Sequence, residues 1–153
     1  MVEISEYYSG VKAVRNLAIQ LARQLSFSPE EEFGLELAVD EAVTNAWKAQ
    51  LVAELTIGQH VDTQFFQRVR VEHNQSTCNQ PIIVKFSYND ELLQIMVSDQ
   101  GTGFLPGAQC SLDLTEDHGR GCYLMQTYMN RVSWQPRSGG GTDCILEKEL
   151  PGC

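Results

Sequence analysis

Residues 81–103, PIIVKFSYNDELLQIMVSDQGTG, decide the fold. Ile82, Val84 and Phe86 recur at every second position, and so do Leu93, Ile95 and Val97. A period of two places each set on one face of a strand. Asn89-Asp90 between them marks a hairpin turn. The second strand runs straight into Asp99-Gln-Gly101-Thr-Gly103, where glycines let the backbone turn and come close to other groups.

Working outward from this hairpin, the other elements follow. Val2 and Ile4 alternate with Glu3 and Ser5, which predicts a short edge strand. Val11, Val14, Leu17, Ala18, Leu21, Ala22 and Leu25 recur at helical spacing and predict a first amphipathic helix. Ser28-Pro29-Glu30-Glu31 is a helix start, with a serine cap, proline at the first position and a glutamate three residues past the cap. The second helix is expected from Pro29 to about Gln50.

Beyond the hairpin, residues 104–118 read as a flexible connection, and a third helix is expected from Gly121 to Asn130 with Leu124, Met125, Tyr128 and Met129 inward. Val132-Ser-Trp134 and Cys144-Ile-Leu146 complete the pattern as two strands joined across the turn Ser138–Gly141. The order is strand, two helices, two strands, helix, two strands. It predicts an α+β fold: a two-layer α/β sandwich whose sheet is mostly antiparallel, with helices on one face.

Residues 51–80 are the least legible. Val61, Phe65, Phe66 and Val69 fit a short helix, and Val69 with Val71 equally fit a strand; His73 to Gln80 is polar and reads as a loop. Some thirty residues without a clear element suggest an insertion at 51–80 within a single domain spanning 1–153.

At 153 residues, one domain with one core is expected. Hydrophobic residues make up 42%, which excludes a wholly disordered chain. The net charge of −9 argues against direct nucleic-acid binding, because phosphate contacts need a basic surface. A protein partner or a metal-chelated nucleotide suits an acidic chain better. Five cysteines, an odd count with no CxxC pair, argue against a zinc ribbon and a disulfide framework. No apolar run opens the chain or approaches the roughly 20 residues of a membrane span, so a soluble cytoplasmic protein with no membrane partner is expected.

Four short patterns carry chemistry. In Glu41-Ala-Val-Thr-Asn45, Glu41 and Asn45 stand one helical turn apart, and Lys48 lies on nearly the same face. An amide oxygen is a hard neutral ligand suited to magnesium, and a carboxylate one turn away can deprotonate a hydroxyl beside a phosphate. The same residues equally make a solvated helix face. Asp99, at a strand end, can accept a hydrogen bond from an exocyclic amine such as adenine's, or simply end a strand.

His118-Gly-Arg-Gly121 opens the third helix, whose N-terminus favours phosphate, with Arg120 as a charged contact; the plainer reading is a glycine-rich connection. Gly139-Gly140-Gly141-Thr142 is more often only a hairpin, although it also offers the Thr142 hydroxyl to a base.

Taken together and in this order, the patterns resemble the GHKL, or Bergerat-fold, ATPases, and within them the anti-sigma factor serine/threonine kinases. Glu36-Leu-Ala-Val-Asp-Glu41-Ala-Val-Thr-Asn45-Ala resembles their N box. Val97-Ser-Asp99-Gln-Gly101-Thr-Gly103-Phe resembles the G1 box, Gly119-Arg-Gly121-Cys-Tyr-Leu-Met125 the G2 box, and Gly141-Thr142 the last glycine motif. No phosphoacceptor helix precedes these patterns, so a complete sensor histidine kinase is not expected.

The resemblance implies ATP and Mg2+ as cofactors. It makes Asn45 the magnesium ligand, Glu41 the catalytic general base and Asp99 the reader of the adenine amine. Gly101 and Gly103 would shape the base pocket, and Gly119, Arg120 and Gly121 would cradle phosphates beneath a lid at 104–118 that includes His118. It also implies transfer of phosphate to a serine or threonine of a small STAS-type anti-sigma factor antagonist, sequestration of a sigma factor in many members, and a homodimer.

Three features depart from the pattern. Many members have a histidine four residues after the N-box asparagine, where this chain has Ala49. Lys48 instead resembles the N-box lysine of histidine kinases, which can touch phosphate. The segment after the N-box helix is long. These departures leave a second reading open, a nucleotide-gated protein-binding module without significant phosphotransfer.

Overall fold

The computed structural model describes residues 1–55, 77–101 and 120–152. Five strands, β1 (Val2–Glu6), β2 (Thr77–Tyr88), β3 (Leu92–Ser98), β4 (Arg131–Pro136) and β5 (Thr142–Glu149), form one sheet in the order β1-β2-β3-β5-β4. Every neighbouring pair is antiparallel. Helices α1 (Tyr7–Gln24), α2 (Pro29–Leu55) and α3 (Arg120–Tyr128) complete the described elements. The expected two-layer α+β sandwich is what forms.

The period-two pattern explains the layering. In register, Val84 faces Val97 and Val97 faces Cys144, while Phe86 faces Ile95 and Ile95 faces Leu146. These residues share one face of the sheet. With Ile4, Ile82 and Leu93 they meet Leu35, Ala38, Val39, Ala42, Val43 and Ala46 of α2 in a single buried core. Helix α2 packs against α1 on one side, α3 on the other and the sheet beneath. It is therefore apolar around much of its circumference, as a helix enclosed on several sides must be.

Local signals set the ends of the elements. The Ser28 hydroxyl accepts from the Glu31 N–H at 3.2 Å, and the Glu31 carboxylate accepts from the Ser28 N–H at 2.8 Å, a reciprocal cap. The Asn89 side chain accepts from the N–H groups of Glu91 and Leu92, both at 2.9 Å, which closes the β2–β3 hairpin.

Helix α3 runs Arg120–Tyr128 rather than Gly121 to Asn130, and two other boundaries differ more from the sequence reading. Helix α2 continues past Gln50 to Leu55, because Leu51 to Leu55 contain no glycine or proline and Leu51 is buried in the core. Strand β2 begins at Thr77, inside the stretch His73–Gln80 that reads as a loop. Its polar residues are recruited by backbone pairing, Glu6 with Thr77, which ignores side-chain polarity. What remains of the insertion read at 51–80, residues 56–76, lies outside the described residues.

None of the described helices is long and apolar enough to cross a membrane.

The extension of α2 rests on packing, so it makes a direct prediction. Leu51 is 2% exposed, and Leu51→Ala should cost roughly 2–5 kcal/mol in urea unfolding, the range for buried leucines. A loss below about 0.5 kcal/mol would mean that the last turns of α2 are not part of the core.

Candidate functional site

The small side chains of α2 leave space above the sheet. Ala42 and Ala46, one turn apart, line a narrow cavity together with Asn45, Asp99, Trp134, Thr142 and Cys144. Trp134 and Cys144 are cross-strand partners on β4 and β5, so the cavity lies where α2 crosses the ends of the inner strands.

Asp99 directly follows β3 and is only 5% exposed. Its carboxylate accepts from the Gly101 N–H at 2.8 Å, and its own N–H donates to the Thr142 carbonyl at 3.0 Å. Arg137 donates from Nη1 to the Asp99 carbonyl at 3.1 Å. Burial raises the carboxyl pKa of Asp99; hydrogen bonds from the backbone of Gly101 and Thr142 and the charge of Arg137 oppose that rise, and Asp143 adds to it. Next to it, burial and the Asp99 charge push the Cys144 thiol up to about 12, so it stays a neutral thiol at physiological pH.

The glycine turn between β4 and β5 serves Asp99 through shape. Gly139, Gly140 and Gly141 have φ values of 93°, 107° and 93°. A Cβ on Gly141 would fall 2.0 Å from the Asp99 carbonyl oxygen, so only glycine lets the two turns meet. The turn closes on itself through the Arg137 N–H to the Gly141 carbonyl, 3.1 Å, and the Gly140 N–H to the Arg137 carbonyl, 3.2 Å.

A second link ties this corner to α2. Gln50 is 1% exposed; its amide oxygen accepts from the Gln100 N–H at 3.0 Å, and its Nε2 donates to the Gln80 carbonyl. Gly101 lies against the same helix, where a Cβ would come within 2.6 Å of the Ala49 carbonyl oxygen.

The other end of the crevice is built from α2 and α3. A Cβ on Gly121, in the first turn of α3, would lie 2.3 Å from Glu41 Oε2 and 3.5 Å from Asn45 Nδ2. The carboxylate and the amide therefore sit together beneath the N-terminal turn of α3, the partially positive end of that helix. Both side chains are half-buried. Burial raises the Glu41 carboxyl pKa, the charge of Lys48 lowers it and that of Asp40 raises it. Lys48 thus shares the electrostatic environment of Glu41, as its spacing implies.

The structure brings Asn45, Asp99 and Thr142 to one cavity and places Glu41, Asn45 and Gly121 in contact. Gly101 packs on α2 beside them. Gly103, Gly119 and His118 lie outside the described residues, as does the side chain of Arg120, the first residue of α3. Four residues escaped the sequence reading as parts of the site: Gln50, Trp134, Arg137 and Cys144. Gln50 alone had a local signal. It continues the stripe Ala38, Ala42, Ala46 at four-residue spacing, a polar residue where the core-facing pattern calls for an apolar one.

The raised pKa of Glu41 predicts how stability depends on pH. A carboxyl group whose pKa is higher folded than unfolded favours folding in its protonated form. Its contribution is present in full below the unfolded value and is lost as pH rises through the folded value. Glu41→Gln should therefore be more stable than the parent at pH 7, and the gain should vanish below about pH 4. Thermal melts of both proteins at the two pH values check it; a variant less stable than the parent at pH 7 would contradict the burial of this charge.

No curated protein matches the chain. A family model, the histidine kinase-like ATPase domain, matches residues 69–148, just over half of it. That stretch carries Asp99, Gly101, Gly121 and the Gly141-Thr142 turn, on the strands and helix described above. The matched stretch holds the buried carboxylate at the end of β3, the glycine turn that meets it and the start of α3, and the chain belongs to the histidine kinase-like ATPase domain family.

Proposed function

We propose that the protein is an ATP-dependent serine/threonine protein kinase of the anti-sigma factor type, acting on a small STAS-type antagonist protein in a partner-switching system. The observation that carries this reading is the placement of Glu41 and Asn45 together under the first turn of α3, along α2 from the cavity that holds Asp99. One end offers a buried acceptor for an adenine amine. The other offers a carboxylate of raised proton affinity beside a helix N-terminus, which favours phosphate.

In this reading Asp99 accepts from the adenine amine, with Thr142 beside it. Gly121 and the start of α3, with Lys48 across the crevice, hold phosphate oxygens. Glu41 takes the proton from the partner's serine hydroxyl as that oxygen bonds to the γ-phosphorus and the bond to ADP breaks. The donor set fits magnesium: an amide oxygen at Asn45, and no cluster of three His, Cys, Asp or Glu among the described residues that would favour a tighter-held metal. Held by Asn45 and the substrate's phosphates, the ion would neutralise phosphate charge.

Two measurements test the reading. Calorimetry with ATP and magnesium should show binding by the parent protein and its loss in Asp99→Asn; equal binding by both would remove Asp99 from the pocket. With labelled ATP and a STAS-type antagonist domain, Glu41→Ala should lower phosphate transfer roughly a hundredfold, the usual worth of a general base. Binding without any transfer by the parent would favour the nucleotide-gated module instead.

Gly121→Ala should separate chemistry from stability. The added methyl meets the movable end of Glu41, and alanine gains about 1 kcal/mol over glycine within a helix. The variant is expected to unfold within about 1 kcal/mol of the parent yet transfer phosphate poorly. Undiminished transfer would show that the position of the Glu41 carboxylate does not matter.

A further inference from the structure

Arg137 lies at the start of the β4–β5 turn, 38 residues from Asp99, and reaches it from outside the cavity. Its Nη1 donates to the Asp99 carbonyl at 3.1 Å, while its Nε lies 3.4 Å from Asp143 Oδ1. The same Asp143 oxygen accepts from the Ser98 hydroxyl at 2.6 Å, and Ser98 is 4% exposed. Ser98 and Asp143 are also direct cross-strand partners. The guanidinium is thus oriented by a carboxylate that is itself held by a buried hydroxyl, and the chain of contacts ends on the backbone of Asp99.

Ser98 and Asp143 belong to the sheet face opposite the helices, and Asp99 to the helix side. Arg137 spans the two. Gly141 packs against the same carbonyl that Arg137 holds, so neither can move without the other. No role in the proposed chemistry uses this cation, and its position is not one that sheet formation requires: the β3–β5 and β4–β5 ladders are complete without it.

We propose that Arg137 is a positioning residue for base recognition. By fixing the Asp99 carbonyl it fixes where the Asp99 carboxylate stands, and so sets the preference for a purine bearing a 6-amino group over one bearing a 6-oxo group. The inference rests on the reading of Asp99 as the group that meets the base. Its physical basis is that a site built to accept from a substrate N–H rejects an analogue that lacks it, and that such rejection depends on a well-placed buried acceptor. A charged donor on the carbonyl of that same residue is a strong restraint on its placement.

The test is a pair of calorimetric titrations, with ATP and with inosine triphosphate, which carries the same phosphates and sugar and a 6-oxo base. They are run with magnesium on the full chain, on Arg137→Met and on Asp143→Asn, with urea unfolding of each. The parent should prefer ATP. Arg137→Met should lose roughly tenfold in ATP affinity, about the worth of one charge-assisted hydrogen bond, with the inosine nucleotide unchanged, so that the preference falls by the same factor. Asp143→Asn keeps the guanidinium but removes the charge that orients it, and should lose part of the preference; it carries the comparison should the methionine variant fail to fold.

A preference that stays at the parent's value in the folded variants, whether both affinities fall together or neither falls, would overturn the positioning role and leave the ATP reading standing. A parent that binds both nucleotides equally would overturn the role of Asp99, and this inference with it.

Discussion

Asp99 is a carboxylate with 5% of its surface exposed, and the geometry of the crevice is arranged around that constraint. A buried charge is costly unless hydrogen-bonded and paired. The Gly101 N–H meets the carboxylate, Arg137 and the Thr142 carbonyl hold the Asp99 backbone, and Gly141 gives up its side chain so that the two turns can touch. Compensation is incomplete, because burial still outweighs these contacts and the pKa remains raised. A carboxylate held in place yet under-satisfied is poor for stability and well suited to a ligand that brings its own donor, the trade expected at a binding site.

Glu41 repeats the argument at the far end of the same helix segment. It too is a partly buried carboxylate with a raised pKa, and the nearest cation, Lys48, only moderates the rise. Helix α2 carries Glu41 and Asn45 at one end of the crevice and Gln50 at the other, where its side-chain amide grips the Asp99 turn. Nine residues of helix separate Glu41 from Gln50, roughly 13 Å of axial rise. The distance between these two ends is therefore set by a rigid rod rather than by loops, and the small side chains Ala42 and Ala46 between them line the cavity.

How much of this was legible in the chain depends on the range of the interaction responsible. The strands, the Ser28 cap and the Asn89 turn are written in residues a few positions apart, and they form as the sequence implies. So do the spacing of Glu41, Asn45 and Lys48 and the place of Asp99 at a strand end. The end of α2 was not legible, because nothing local stops the helix and packing of Leu51 extends it. Nor was the start of β2, where pairing with β1 overrides a polar composition. Arg137 and Trp134 act across the sheet, and no pattern near either residue announces a partner 38 positions away or a cavity shared with α2. The glycine run before Thr142 reads as a hairpin and is one; that its last glycine exists to meet Asp99 becomes visible only when the two turns are in space together.

The match to the histidine kinase-like ATPase domain spans residues 69–148, so it takes in β2, β3, β4, most of β5, Asp99 and Gly141 but neither β1 nor α2. Membership therefore rests on the end of the crevice where Asp99 lies. Glu41 and Asn45 are reached from there by packing: Gly121 lies within the matched stretch, and its missing side chain is the space into which they project. A glycine in the first turn of a nine-residue helix is a weak helix former. Its tolerance here follows from what lies beneath it, since any larger residue would displace the carboxylate at that end of α2. The matched stretch and two of the residues proposed to carry the chemistry thus meet where Gly121 of α3 packs on Glu41 and Asn45 of α2.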